Sequence, residues 1–304
     1  RVLEKAQEAA AQHGIAHAYG SYAALLDDPD IDVVYNPLPN HLHLEWSARA
    51  LRAGKHVLCE KPIAMNQAEV HELIHVRDET GLHIEEAVMI RNHPQWSSIL
   101  ELIAANTIGT PQSIQLAYAY REKNRNDYRY KPEIGGGAVY DIGSYSIAIA
   151  RLIFGDEPNG VLATLVRDEN TGVDVLASAI LDFPTGHATL TVATESTTYQ
   201  HVHVLGDRGW IRVEFPFAHP QPTRCHIYIG DASSVGNFHC QEIAFDPINQ
   251  YMLQADRFSL AIQDRSVATW PLENAAANMA VIDALFESAR YRQWTPITKT
   301  SINA

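Results

Sequence analysis

Basic residues are scarce in this sequence: 23 Lys and Arg stand against 36 Asp and Glu, a formal charge of −13 over 304 residues. That balance repels phosphate backbones and anionic lipid, so neither nucleic acid nor a membrane surface is expected as a partner. Cysteine is rarer still. Cys59, Cys225 and Cys240 show no CxxC pairing, which offers no disulfide framework and suits a reducing, cytoplasmic compartment. No apolar run approaches the roughly 20 residues that a membrane-spanning helix needs. The 15 histidines form no zinc-ligand spacing, His41 and His43 included, and no metal is expected.

What the sequence does hold is enough hydrophobic side chain, 46%, for a sizeable core over a length that suits two domains. Residues 2–13, rich in Ala, Glu, Gln and Lys, read as a helix that ends at Gly14. Because the chain opens inside a helix, an export signal ahead of it would not show here. Apolar runs at 31–38, 56–59 and 83–89 alternate with helical stretches at 41–53 and 67–80, the rhythm of a parallel, doubly wound sheet. After Arg91 the rhythm changes. A helix over 94–105 precedes runs at 113–120, 161–166, 173–181, 187–193, 201–205 and 210–215 that read as antiparallel strands, with helices at 139–154, 254–262 and 273–291 among and after them. The division falls at residues 1–92 and 93–304. The expected fold is α/β: a Rossmann-type parallel-sheet domain followed by an α+β domain with a large open, mostly antiparallel sheet.

Chemistry concentrates in three clusters. Gly54-Lys-His-Val-Leu-Cys-Glu60-Lys61-Pro62 places Glu60 and Lys61 at the C-terminal edge of a buried strand, where open parallel sheets bind ligands. Pro62 keeps Lys61 out of the α conformation and projects it from extended backbone, although Lys-Pro also commonly just ends a strand. Residues 135–145 (GGGAVYDIGSY) lead three glycines into an apolar helix that carries Asp141 and Tyr145 four apart, on one face. A carboxylate beside a phenol raises its pKa and an ammonium lowers it, so a Tyr145 base needs Lys61 close by. Taken alone, these two residues fit better as a local hydrogen-bonding group at Asp141 and packing at Tyr145. Third, residues 37–43 (PLPNHLH) form a kinked turn after a strand, where Asn40 is a natural N-cap. Glu85 and Glu86, adjacent on a strand, point to opposite sides, which argues against a paired-carboxylate hydrolase. Arg91, Asn92 and His93 follow that strand at the same sheet edge.

These motifs, in this order, resemble the Gfo/Idh/MocA oxidoreductases: residues 32–41 (DVVYNPLPNH), 54–62, 89–95 (MIRNHPQ) and 135–145. The resemblance implies a hydride transfer between NADP and a CH–OH carbon of a sugar or cyclic diol, in a homo-oligomer built through the C-terminal sheet. It implies catalytic roles for Lys61, Asp141 and Tyr145. It places Arg1, Asn36, Pro37, Asn40, His41, Glu60, Lys61 and Arg91 at the cofactor. Tyrosine at 145, where many members carry histidine, resembles the branch of glucose-fructose oxidoreductase, dimeric dihydrodiol dehydrogenases and NADP-dependent xylose dehydrogenases. The family's first strand and its G-x-G-x-x-G turn are not in this sequence, so an N-terminal truncation is expected. Arg1 aligns with the arginine that pairs with a 2′-phosphate in NADP-using relatives, so NADP is expected, with NAD as the alternative. A non-catalytic NADP-binding sensor of the same fold is the competing function.

Overall fold

Three short strands build the first sheet. The computed structural model describes residues 2–218, 223–231, 240–264 and 266–298; Arg1 lies outside them. Strands β1 (Val33–Asn36), β2 (His56–Glu60) and β3 (Ile84–Ala87) pair in parallel in that order. Ahead of them stand helix α1 (Leu3–His13) and the short α2 (Tyr22–Leu26), the latter not expected from the sequence. Helices α3 (His43–Arg52) and α4 (Gln67–Thr80) make the crossovers. The bounds of α4 are written in its ends: Asn66 accepts from the Glu69 amide at 3.0 Å, and the Glu69 carboxylate accepts from the Met65 amide at 2.8 Å. Gly81, at φ 65°, closes the helix in the left-handed region.

After α5 (Pro94–Ala104) comes a nine-stranded sheet. Its strands are β4 (Pro111–Arg121), β5 (Gly160–Arg167), β6 (Asp174–Phe183), β7 (Gly186–Ala193), β8 (Glu195–Gly206), β9 (Gly209–Val213), β10 (Cys225–Asp231), β11 (Gln241–Phe245) and β12 (Thr295–Pro296), in the order β11-β10-β9-β8-β4-β7-β6-β5-β12. All neighbours are antiparallel except β4 and β7, which run parallel from Ser113↔His187 to Ala119↔Ala193. The sheet is thus mostly antiparallel, as expected, with this one parallel pair. A helix, α6 (Ser144–Phe154), lies between the two strands in sequence and supplies the crossover that parallel neighbours need. Helices α6 and α8 (Leu272–Tyr291) pack on one face of the sheet, and α7 (Gln250–Gln263) packs on the turn after β3. The stretch expected to be one helix over 139–154 is a π-helical turn, Val139–Gly143, running into α6. One apolar core runs through both sheets, from Val57 and Ile84 to Ile147, Leu190 and Val281.

Candidate active site

The carboxyl ends of β1 and β2 open on one cleft. Strand β2 ends on Glu60, and the next peptide bond, Lys61–Pro62, is cis. Two buried groups hold the turn beyond it. Glu86 accepts from the Ile63 amide at 3.0 Å, and the His43 ring bridges the Pro62 carbonyl, 2.8 Å from Nδ1, and the Leu38 carbonyl, 2.5 Å from Nε2. His43 thereby joins the turn after β1 to the turn after β2. Asn36 supports the first of these, donating to Ser47 at 3.0 Å and accepting from the Leu38 amide at 3.3 Å.

Opposite Lys61 stands the π-helical turn, a local widening that is frequent at functional sites. Lys61 Nζ donates to the Asp141 carbonyl and lies 3.4 Å from Asp141 Oδ1. Asp141 Oδ2 accepts from the Tyr120 hydroxyl and, at 2.9 Å, from Arg129 Nε. The cations and hydrogen bonds around Asp141 outweigh its burial and hold its carboxyl below the usual range. Tyr145 is buried, with its hydroxyl 3.3 Å from Met89 Sδ and Lys61 Nζ 4.6 Å above its ring. The expectation that Lys61 lowers this phenol differs from what the geometry gives. The ammonium meets the ring face and not the hydroxyl, while burial, helped by Glu60, pushes the Tyr145 pKa well above 10.

The cleft has a volume of about 430 Å³ and brings together Pro37, Asn40, Glu60, Lys61, Asp141 and Tyr145. Glu60 accepts from the Tyr35 hydroxyl. Asn40 does not act as an N-cap; Pro39 occupies that position, and the Asn40 amide donates instead to the Gly135 carbonyl at 2.9 Å. Asn36, His41 and Arg91 do not line this cleft. Asn36 is buried behind it, His41 faces an outer groove between α3 and α4, and Arg91 donates to Asn274 at 2.8 Å and stacks on Trp270. From the stretch after β3 it is Met89 that reaches the cleft.

Reading the sequence passed over Tyr118, Tyr120, Tyr128, Arg129 and Tyr251, which also line it. A signal existed for the first two: in Ala117-Tyr-Ala-Tyr120 the period of 2 puts both tyrosines on one face of β4. Arg129 sits in a single 3-10 turn, Tyr128–Tyr130, too short for any periodicity to mark it.

Comparison with known proteins agrees with this architecture. Residues 1–87 match the family model described as the oxidoreductase family, NAD-binding Rossmann fold, and residues 96–212 match the GFO/IDH/MocA C-terminal domain. An uncharacterised oxidoreductase of Rhizobium meliloti is 42% identical over 98% of this chain and 89% of its own length. An NADP-dependent D-xylose 1-dehydrogenase of Haloferax volcanii is 33% identical over 94% and 86%. A solved 3-ketoreductase from Actinomadura kijaniata, in complex with NADP and TDP-benzene, superposes with a TM-score of 0.86 at 28% identity, covering 94% of this chain and 86% of that one. The two family models together span most of the chain, and a relative 42% identical spans nearly all of it: the chain belongs to the GFO/IDH/MocA family of oxidoreductases.

Proposed function

We propose that this protein is an NADP-dependent dehydrogenase or reductase acting on a CH–OH carbon of a sugar or cyclic diol, with residues 1–92 as its nucleotide-binding part and 93–304 as its substrate and assembly part. The observation that carries it is the convergence of Lys61, Asp141 and Tyr145 in one cleft at the carboxyl ends of two parallel strands. Ligands bind at that edge of such sheets, so the site fits a dinucleotide entering over Pro37, Asn40 and Glu60. The names of relatives point the same way, since they include a D-xylose dehydrogenase using NADP and a 3-ketoreductase solved with NADP. When bound, the cofactor supplies or accepts the hydride.

The chain's own residues handle position and protons. Asp141, ionised and held by Arg129 and Tyr120, accepts from a substrate hydroxyl through its Oδ1 side, and the Lys61 ammonium donates to a second substrate oxygen. The Tyr145 hydroxyl, whose neighbour here is a weakly accepting thioether, exchanges the proton of the reacting oxygen. A cytoplasmic setting and a homo-oligomer through the large sheet complete the proposal. Titrating the protein with NADPH and NADH by fluorescence, then offering D-xylose, levoglucosan and trans-1,2-dihydrobenzene-1,2-diol with NADP, tests it. Tighter binding of NADPH and turnover of at least one compound are expected; binding of neither cofactor sinks the enzyme.

A further inference from the structure

We propose that Asp174, at the start of β6, is a positioning residue for catalysis: it anchors the backbone turn from which Asp141 and Tyr145 reach the cleft. This rests on the site assignment above. Asp174 is only 2% exposed, and its Oδ2 accepts from the Val139 amide at 2.7 Å. Val139 opens the π-helical turn, two residues before Asp141. The preceding residue but one, Gly137, sits at φ 117°, and its carbonyl accepts from the Asp141 amide at 3.1 Å. A Cβ at Gly137 would stand 2.2 Å from Asp174 Oδ1. The carboxylate therefore presses against the segment at Gly137 and bonds it at Val139, fixing it at two points.

The neighbouring glycines tie the same segment to other parts of the site. A Cβ at Gly136 would lie 2.5 Å from the Arg129 carbonyl, and the Gly135 carbonyl takes the Asn40 amide. Three glycines in a row are thus a junction where the Arg129 turn, the nucleotide side and β6 meet the segment that carries Asp141 and Tyr145. Of these contacts, only that from Asp174 is a side-chain grip on the first turn itself. Moving Val139 moves the Asp141 carbonyl that receives Lys61 and the phenol of Tyr145 together, and errors of about 1 Å in such placements cost on the order of 100-fold in rate.

Asp174→Ala, Asp174→Asn and Gly137→Ala test this with D-xylose, levoglucosan or trans-1,2-dihydrobenzene-1,2-diol, whichever the parental protein turns over, alongside Tyr145→Phe. Asp174→Ala and Gly137→Ala should lower kcat at least about tenfold while leaving the NADPH dissociation constant within about twofold. Asp174→Asn, which keeps a carbonyl oxygen in the same place, should restore kcat to within about threefold. That split separates positioning from a loss of folded protein, which would lower the amount of binding and turnover alike. Unchanged kcat in folded Asp174→Ala overturns the proposal, as does an Asn variant as poor as Ala. If Asp174→Ala does not fold, Gly137→Ala decides by the same criteria, and failure of both to fold reduces Asp174 to a stability residue. Should Tyr145→Phe keep parental turnover, it is the role of Tyr145 in the site assignment that falls, and the proton passes to Lys61.

Discussion

The Tyr145 hydroxyl has a methionine sulfur for a neighbour, not a charge, and burial keeps it protonated far above neutral pH. In that state it is ready to donate to a carbonyl oxygen that gains negative charge, so reduction has its proton in place. Oxidation needs the phenolate, whose fraction grows about tenfold per pH unit below the pKa. With the pKa raised above 10, kcat/KM for the alcohol should climb between about pH 7 and 9 while that for carbonyl reduction stays level; a level alcohol profile would take the base role from Tyr145. Replacing Tyr145 by Phe should lower turnover about 10²- to 10⁴-fold with NADPH affinity unchanged, and more than half the parental turnover would pass the proton to Lys61. Lys61→Met should be at least as damaging, since Nζ meets both the ring of Tyr145 and the carbonyl of Asp141. At this scale the sequence identified residues by type and spacing but not their partners. That Lys61, Asp141 and Tyr145 belong together was readable from chemistry; that Arg129 and Tyr120 saturate one oxygen of Asp141 depends on a 3-10 turn and a strand brought in from outside the motif.

Among elements, the parallel strands and their crossovers were legible because each carries its own ends. Helix α4 has Asn66 and Glu69 at one end and Gly81 at the other, and its bounds, Gln67–Thr80, follow from them. Strands β10 and β11 were not read: the proline-bearing stretch over 216–222 breaks the period before β10, and β11 has only five residues. The π-helical turn was invisible, since Val139-Tyr-Asp-Ile-Gly143 has the apolar content of an ordinary helix and only the packing around Asp141 distinguishes it. Between elements, His43 is the link that sequence reading treated only as a failed metal ligand. Its ring lies against buried carbonyls on the turns after β1 and β2 and, kept neutral by burial, donates to one of them, so His43→Ala should cost about 1–3 kcal/mol and loosen Lys61 with it. Urea unfolding would read the first effect and NADPH titration the second; a variant that matches the parent in both would show that the two turns hold without the bridge.

At the scale of the whole molecule, α6 and α8 cover one face of the large sheet, and among the described residues no helix packs on the other. The other side presents Val166, Leu176, Ile180 and Tyr199, all exposed, in a field of His201, His203, Trp210 and Tyr228. Isolated apolar residues on a surface mean little, but a broad strip across β5, β6 and β8 is the kind of face that a second copy covers. Leu176→Glu with Ile180→Glu should therefore convert the proposed homo-oligomer into monomer by light scattering, with the cleft on the opposite side of the sheet's strands still binding NADPH. The histidines give this face a pH dependence whose sign follows from their surroundings. Burial lowers the pKa of His201, and burial with His201 and Arg212 nearby lowers that of His203; among the described residues, Nδ1 of the first and Nε2 of the second have no hydrogen-bond partner. A second copy laid over them removes more water and lowers both further. A group whose pKa is depressed in the assembled state favours assembly while it is neutral and opposes it once protonated. Association should accordingly be strongest while both rings are neutral and weaken as the pH falls below the ordinary histidine value of about 6.5, through the already lowered values of the monomer. His201→Gln with His203→Gln, which cannot charge, should hold the oligomer together in acid, and an assembly whose dissociation constant is the same at about pH 5.5 and 7.5 would place the interface elsewhere on the molecule.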